Sequence, residues 1–186
     1  MRRSQSVDGL TIESLGLTEE TYRWLTQTHW AFYEPTRGIR LIRTLLCCEA
    51  TTIRYLPTHK PHLTPPRVRE IERCLAANGK RLADPANGPC IAPPSGDEWV
   101  RLPVASGMPS WIPRKQLPSA YLYQVIGTQA SILNHMLGVF TINGLDGVTA
   151  RDLMEQVDWT SRNISGEDYL GRLNRALQEL GLEPIR

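Results

Sequence analysis

Two helix starts are written in the same code sixteen residues apart: Thr149 is followed three positions later by Asp152, and Ser165 by Asp168. At this spacing the hydroxyl accepts a first-turn amide while the acid reaches back, a capping box with Asp in place of the usual Glu. Behind the first start, Leu153, Met154 and Val157 supply an apolar face. Behind the second, Leu170, Leu173, Leu177 and Leu180 fall on one stripe, with Arg172, Asn174, Arg175 and Gln178 pointing elsewhere. Gly181 and Leu182 fit a Schellman stop, the glycine left-handed and the leucine folding back on the last turn. Upstream, Leu122, Val125, Ile126, Leu133, Met136, Leu137 and Phe140 recur at three- and four-residue steps. That spacing predicts one buried helix from Ser119 to Phe140, ending before the turn pairs Asn143-Gly144 and Asp146-Gly147. Leu182 to Arg186 reads as the start of a strand.

Long helix, glycine turn, capped helix, loop, second capped helix and strand is the order of a winged helix-turn-helix. The run "GVTARDLMEQVDWTSRNISGEDYLGRLNRALQELGLEPI" resembles the effector domain of response regulators of the OmpR/PhoB type, over about the last 60 residues. The resemblance implies a DNA-binding unit whose second capped helix enters a groove. Two departures stand beside it. The family's wing hairpin has no counterpart before Arg186, and the helix matching the recognition helix carries only Arg172 and Arg175 against Glu167, Asp168 and Glu179.

Earlier in the chain, Leu17 to Tyr33 reads as a helix capped by Thr18, with Glu19 and Glu20 suited to its positive start. Gly38 to Leu56 reads as a second helix with Ile39, Ile42, Leu45, Leu46 and Ile53 inward. On it, Arg37, Arg40 and Arg43 line one face, either a solvated face or a ridge spaced to meet successive phosphates. "YLPTHKPHLTPP" is a proline-rich linker. Thr64 or Pro65 opens a third helix, through Ala77, with Val68, Ile71 and Leu75 inward and Arg67, Arg69 and Arg73 outward; Asn78-Gly79 closes it. From Asp84 to Pro118, eight of 35 residues are proline, which leaves room only for an irregular connection. Within it "EWVRLPV" alternates, with Val100, Leu102 and Val104 on one side and Trp99 and Arg101 on the other. A turn and "WIP" follow, so a two-strand ribbon is predicted. The fold class is therefore mainly α with a small β component. A basic helical domain (1–83), a Pro-rich connection with a short β-ribbon (84–118) and a winged-helix-like domain (119–186) make it up.

Charge is unevenly spread. Residues 36–83 hold ten Lys/Arg against three Asp/Glu, and residues 119–186 five against eight, so the positive field lies away from the winged-helix-like unit. No apolar run approaches the roughly 18 to 20 residues that span a bilayer, and "MRRSQSVDGL" has no hydrophobic segment behind its arginines, so no membrane or secretory role is expected. Cys47, Cys48, Cys74 and Cys90 show no CxxC pairing, and His59 and His62 lack a nearby acid or cysteine to complete a metal site. A reducing cytoplasm is expected. There is no glycine-rich phosphate loop, HExxH, GxSxG or carboxylate pair in a recognisable setting. The chain is thus read as a non-enzyme without metal or cofactor. The one nucleophilic combination left open is Cys47, Cys48 or Cys74 with His29 or His135.

The reading that follows is a cytoplasmic DNA-binding transcriptional regulator or nucleoprotein accessory factor acting on double-stranded DNA. Arg37, Arg40, Arg43, Arg67, Arg69, Arg73, Lys80 and Arg81 are the expected phosphate contacts, and Arg162, Asn163, Arg172, Asn174 and Arg175 the candidate base contacts. The reading also admits a homodimer. The alternative is a protein-binding adaptor or inhibitor using the acidic 119–186 unit, for which bacterial, phage or mobile-element partners would be typical.

Overall fold

The computed structural model describes residues 10–27, 39–54, 65–104 and 109–186. Within them the chain is mainly α with a small β component. A 3-10 turn at Ile12–Leu15 precedes α1 (Glu19–Gln27), α2 (Ile42–Leu46), α3 (Ala50–Arg54) and α4 (Pro65–Ala77). The strands β1 (Trp99–Arg101) and β2 (Trp111–Pro113) follow, then α5 (Leu122–Ile126), α6 (Ala130–Leu137), α7 (Ala150–Gln156) and α8 (Gly166–Glu179). No helix among the described residues is long and apolar enough to cross a membrane.

The best-patterned helices form where the sequence places them. In α4, Val68, Ile71 and Leu75 are buried. It stops at Gly79, whose φ of 65° lets Lys80 N reach Leu75 O at 2.9 Å. Thr149 Oγ1 accepts Asp152 N at 3.1 Å and Asp152 Oδ2 accepts Thr149 N at 2.8 Å, completing the box that opens α7. Ser165 Oγ likewise accepts Asp168 N at 3.1 Å at the start of α8. At the far end of α8, Leu182 N bonds Leu177 O at 2.9 Å across Gly181, whose φ is 72°. The α7–α8 loop is fixed by Trp159, which donates to Leu153 O at 3.0 Å and packs 5.2 Å from the Tyr169 ring. Gly166 is needed beneath it: a Cβ there would lie 2.6 Å from Met154 Sδ and 2.9 Å from Trp159 Nε1.

Three sequence expectations are corrected. Residues 119–140 do not form one helix: a 3-10 turn (Arg114–Ser119), α5, a second 3-10 turn (Gly127–Gln129) and α6 follow one another. Ala120 and Tyr121 are extended instead, because Leu122 N and Ile142 N bond Phe140 O and Ala120 O across the chain. Gly127, at φ 63°, then breaks the helical path. The apolar period persisted because both pieces bury into the same core. The described part of the helix expected over 38–56, residues 39–54, is likewise split into α2 and α3. Between them Cys47 O accepts Trp111 N at 3.0 Å and Cys48 O accepts Ala83 N at 2.9 Å, so these carbonyls leave the helical ladder. Finally, residues 182–186 form no strand: Asn174 and Ala150 hold them as an extended tail.

Buried apolar side chains fall into two clusters. One gathers Ile12, Leu25, Ile39, Leu45, Ile53, Ile71 and Leu75. The other gathers Val100, Leu102 and Ile112 with Leu122, Leu133, Leu153, Leu173 and Leu177. The ribbon joins them through the two-residue period of its strands. Its register sets Val100 opposite Ile112 and Arg101 opposite Trp111. The first pair enters the C-terminal core, while the second turns to the other side and meets Glu49. This carboxylate is only 3% exposed. Its Oε1 accepts Arg101 Nε at 2.6 Å and Trp111 Nε1 at 3.0 Å, and its Oε2 accepts Arg101 Nη2 at 2.9 Å. Ser110 Oγ accepts Glu49 N at 3.1 Å and lies 2.5 Å from Thr52 Oγ1.

Removing one member of a buried ion pair leaves the other charge unsatisfied, which typically costs 3–5 kcal/mol. The Arg101 side chain is 49% exposed, so Arg101→Ala is expected at the low end, about 3 kcal/mol by urea denaturation. A loss below roughly 1 kcal/mol, the scale of a surface pair, would contradict the role assigned to Glu49.

Candidate nucleic-acid interface

The described cations expected to meet phosphate are divided between the chain around α2, helix α4 and the loop after it. Arg37 lies outside the described residues. Arg40 is exposed in extended chain just before α2, and its charge, behind hydrogen bonds from Tyr22 and Thr11, helps hold the Glu13 carboxyl below its usual range. Arg43 lies within α2, its guanidinium 5.8 Å from the centre of the Trp99 ring and its Nη2 3.4 Å from Ala92 O. Arg40 and Arg43 therefore share no helical face, because only Arg43 sits in a helix of the described chain. Arg81 Nη1 donates to Leu82 O at 3.1 Å and Gly88 O at 3.4 Å, clasping the loop after α4. Lys80 is half-buried.

Three arginines remain on α4. Arg67 pairs with Glu20 of α1. Arg69 and Arg73, one turn apart, are exposed on the side away from Val68, Ile71 and Leu75. α1 is held against α4 by Glu70, whose Oε1 accepts Thr18 N at 2.5 Å and whose Oε2 accepts Thr21 Oγ1 at 2.6 Å. Partial burial pushes the Glu70 carboxyl upward, but the Thr18 amide and the two threonine hydroxyls outweigh it, leaving the group lowered.

Around α8, the buried stripe of Tyr169, Leu173 and Leu177 turns Arg172 and Arg175 outward, where both are exposed. Arg162 and Asn163 are exposed in the loop before it. No acid among the described residues forms an ion pair with Arg162, Arg172 or Arg175. Asn174 differs: its Nδ2 donates to Ile185 O at 3.0 Å and its Oδ1 accepts Ile185 N at 2.7 Å. Both ends of the amide are spent on the chain's own tail, so the expectation that Asn174 reads bases gives way to a clamping role. Arg186 O accepts Ala150 N at 2.9 Å, which ties the same tail to the start of α7.

The open nucleophile combinations gain no support. Burial, only partly offset by Arg43, pushes the Cys47 thiol up to about 12, and burial raises Cys48 further. Thiolate is therefore scarce at neutral pH. His135 is exposed on α6, in the half of the chain that carries the other core, and His29, His59 and His62 lie outside the described residues. No group of three His, Cys, Asp or Glu side chains among the described residues could hold a metal ion. Sequence reasoning passed over Glu49, Ser110 and Trp111. The signal was Glu49 itself, one acid set within an apolar run (Leu45, Leu46, Cys47, Cys48, Ala50), a position a carboxylate occupies only with partners. No protein-family model matches the chain, nor does any curated protein or solved structure.

Because the Glu70 carboxyl is lowered on folding, its contribution is complete above its ordinary value of 4.5 and is lost as pH falls through the folded value. Glu70→Gln is expected to cost about 1 kcal/mol near neutral pH, a typical net hydrogen-bond contribution. It should also flatten the fall in melting temperature below pH 4.5. An unchanged acid limb in thermal melts would show that α1 is held by other contacts.

Proposed function

We propose that the chain is a DNA-binding protein of the cytoplasm, a transcriptional regulator or nucleoprotein accessory factor, that engages double-stranded DNA through two exposed sets of arginines. The observation that carries this reading is the set of exposed guanidiniums with no acid paired to them among the described residues: Arg69 on α4 and Arg162, Arg172 and Arg175 around α8. Arg73, exposed beside Arg69, joins the first set. Guanidinium groups left in water on an outward face are placed to release counterions from phosphate. The order of α7, loop and α8, each helix opened by its own cap, supports a winged-helix-like reader in which Arg172 and Arg175 approach base edges. Arg43 and Arg81 hold the fold, and Asn174 holds the tail.

A salt series of binding to random duplex DNA tests this. Affinity should fall steeply as salt rises, and Arg69→Ala/Arg73→Ala should weaken binding to all sequences alike. That double variant should reduce the log–log slope by about 1.8, from about 0.9 per phosphate contact. No binding at low salt would overturn the reading.

One observation favours a second reading, a protein-binding adaptor. The 119–186 unit has three more acids than cations, and it exposes Met136 and Phe140, 39% and 40% accessible, near one end of α6. An electronegative surface repels phosphate, whereas exposed large apolar side chains suit a protein partner. Failure to bind DNA, together with a partner retained after nuclease treatment, would move the conclusion to this reading.

A further inference from the structure

We infer that α1 is a built-in competitor for DNA: Glu20 holds Arg67 of α4 in an intramolecular ion pair and so keeps one cation of the basic segment from phosphate. The inference rests on the DNA-binding reading above and adds a means by which that affinity is set. Three observations carry it. The Arg67 Nη2–Glu20 Oε1 pair joins the two helices directly, with the Arg67 side chain 25% exposed and Glu20 73% exposed. The pairing is held in register by the separate clasp of Thr18 and Thr21 on Glu70, so Glu20 is delivered to Arg67 by chain anchored on either side of it, two residues before and one after. Two more acids of the described N-terminal chain stand near arginines: Glu19 pairs with Arg23 at 2.6 Å, and Glu13, held low first by hydrogen bonds from Tyr22 and Thr11, also feels the charge of Arg40.

A carboxylate in this position does to Arg67 what a phosphate oxygen would do. Both offer a planar or near-planar pair of anionic acceptors to the guanidinium fork, so the two occupancies exclude each other. With the Arg67 side chain only 25% exposed and its partner delivered by an anchored helix, the pair persists in the complex and Arg67 makes no phosphate contact in the wild type. Arg69 and Arg73 are exposed on the outward face of the same helix, where they can make first contact.

The test is a double-substitution cycle read as dissociation constant and salt slope on random duplex DNA, using wild type, Glu20→Gln, Arg67→Ala and the double variant. Glu20→Gln should tighten binding several-fold and steepen the slope by about 0.9, the increment for one further phosphate contact. Arg67→Ala alone should change affinity less than twofold. The double variant should return to the wild-type slope, so that the two effects are strongly non-additive. Glu20 is well exposed, and a thermal melt of Glu20→Gln within a degree or two of wild type would show that the fold is kept. If wild type binds but Glu20→Gln leaves the slope unchanged, or if Arg67→Ala weakens binding as much as Arg69→Ala, the mask does not exist while the DNA-binding reading stands. If neither wild type nor Glu20→Gln binds at low salt, both fall together.

Discussion

A carboxylate removed from water is unstable unless charge and hydrogen bonds replace the lost solvation, and the arrangement of this chain follows from how Glu49 meets that demand. Its partners come from the far strand ribbon: the fork of Arg101, the indole of Trp111 and, at its backbone, the hydroxyl of Ser110. Glu49 belongs to the helices of the first half, and the ribbon's inner side chains belong to the core of the second. Neither half can satisfy this group alone. Close by, Cys47 O and Cys48 O accept the amides of Trp111 and Ala83, so the gap between α2 and α3 is also the place where the rest of the chain attaches. Gly88, lacking a Cβ, leaves the Trp111 ring room to reach this point.

What could be read from the sequence was local. α4, α7 and α8 were legible because period, cap and stop agreed within each segment and were decided by residues within a few positions of one another. The two segments misread as continuous helices fail for a common reason. Residues 38–56 and 119–140 have unbroken apolar periodicity, but in the first Cys47 O and Cys48 O bond Trp111 and Ala83 far along the chain, and in the second the two ends pair with each other, Leu122 N with Phe140 O and Ile142 N with Ala120 O, while Gly127 breaks the helical path between them. Periodicity reports which side chains are buried and carries no information on long-range backbone pairing. The ribbon lies between these cases. Its alternation was visible, yet that its outer face would carry Arg101 and Trp111 to Glu49 required the tertiary fold.

The candidate site shows the same division. A count of charges along the chain finds the positive segment, but folding sorts its members. Arg43 lies over Trp99, Arg67 pairs with Glu20, Arg81 clasps the loop after α4, and Arg69 and Arg73 stay in water. In the C-terminal unit Asn174, which helical position alone groups with Arg172 and Arg175, is spent on Ile185. Acids that lie outside the basic segment in sequence lie beside it in space, so the field of the folded protein is milder than the segment's own surplus of charge.

Native-state hydrogen exchange is the most direct test of the claim that Glu49 makes the two cores one cooperative unit. The amides of Ile71 and Leu75 in α4 and of Leu173 and Leu177 in α8 lie in opposite cores, far from each other along the chain. If the buried network couples the halves, these four amides should exchange through the same global opening and show the same protection free energy. Exchange of Ile71 and Leu75 through a separate, lower-energy opening, with Leu173 and Leu177 still protected, would contradict the account.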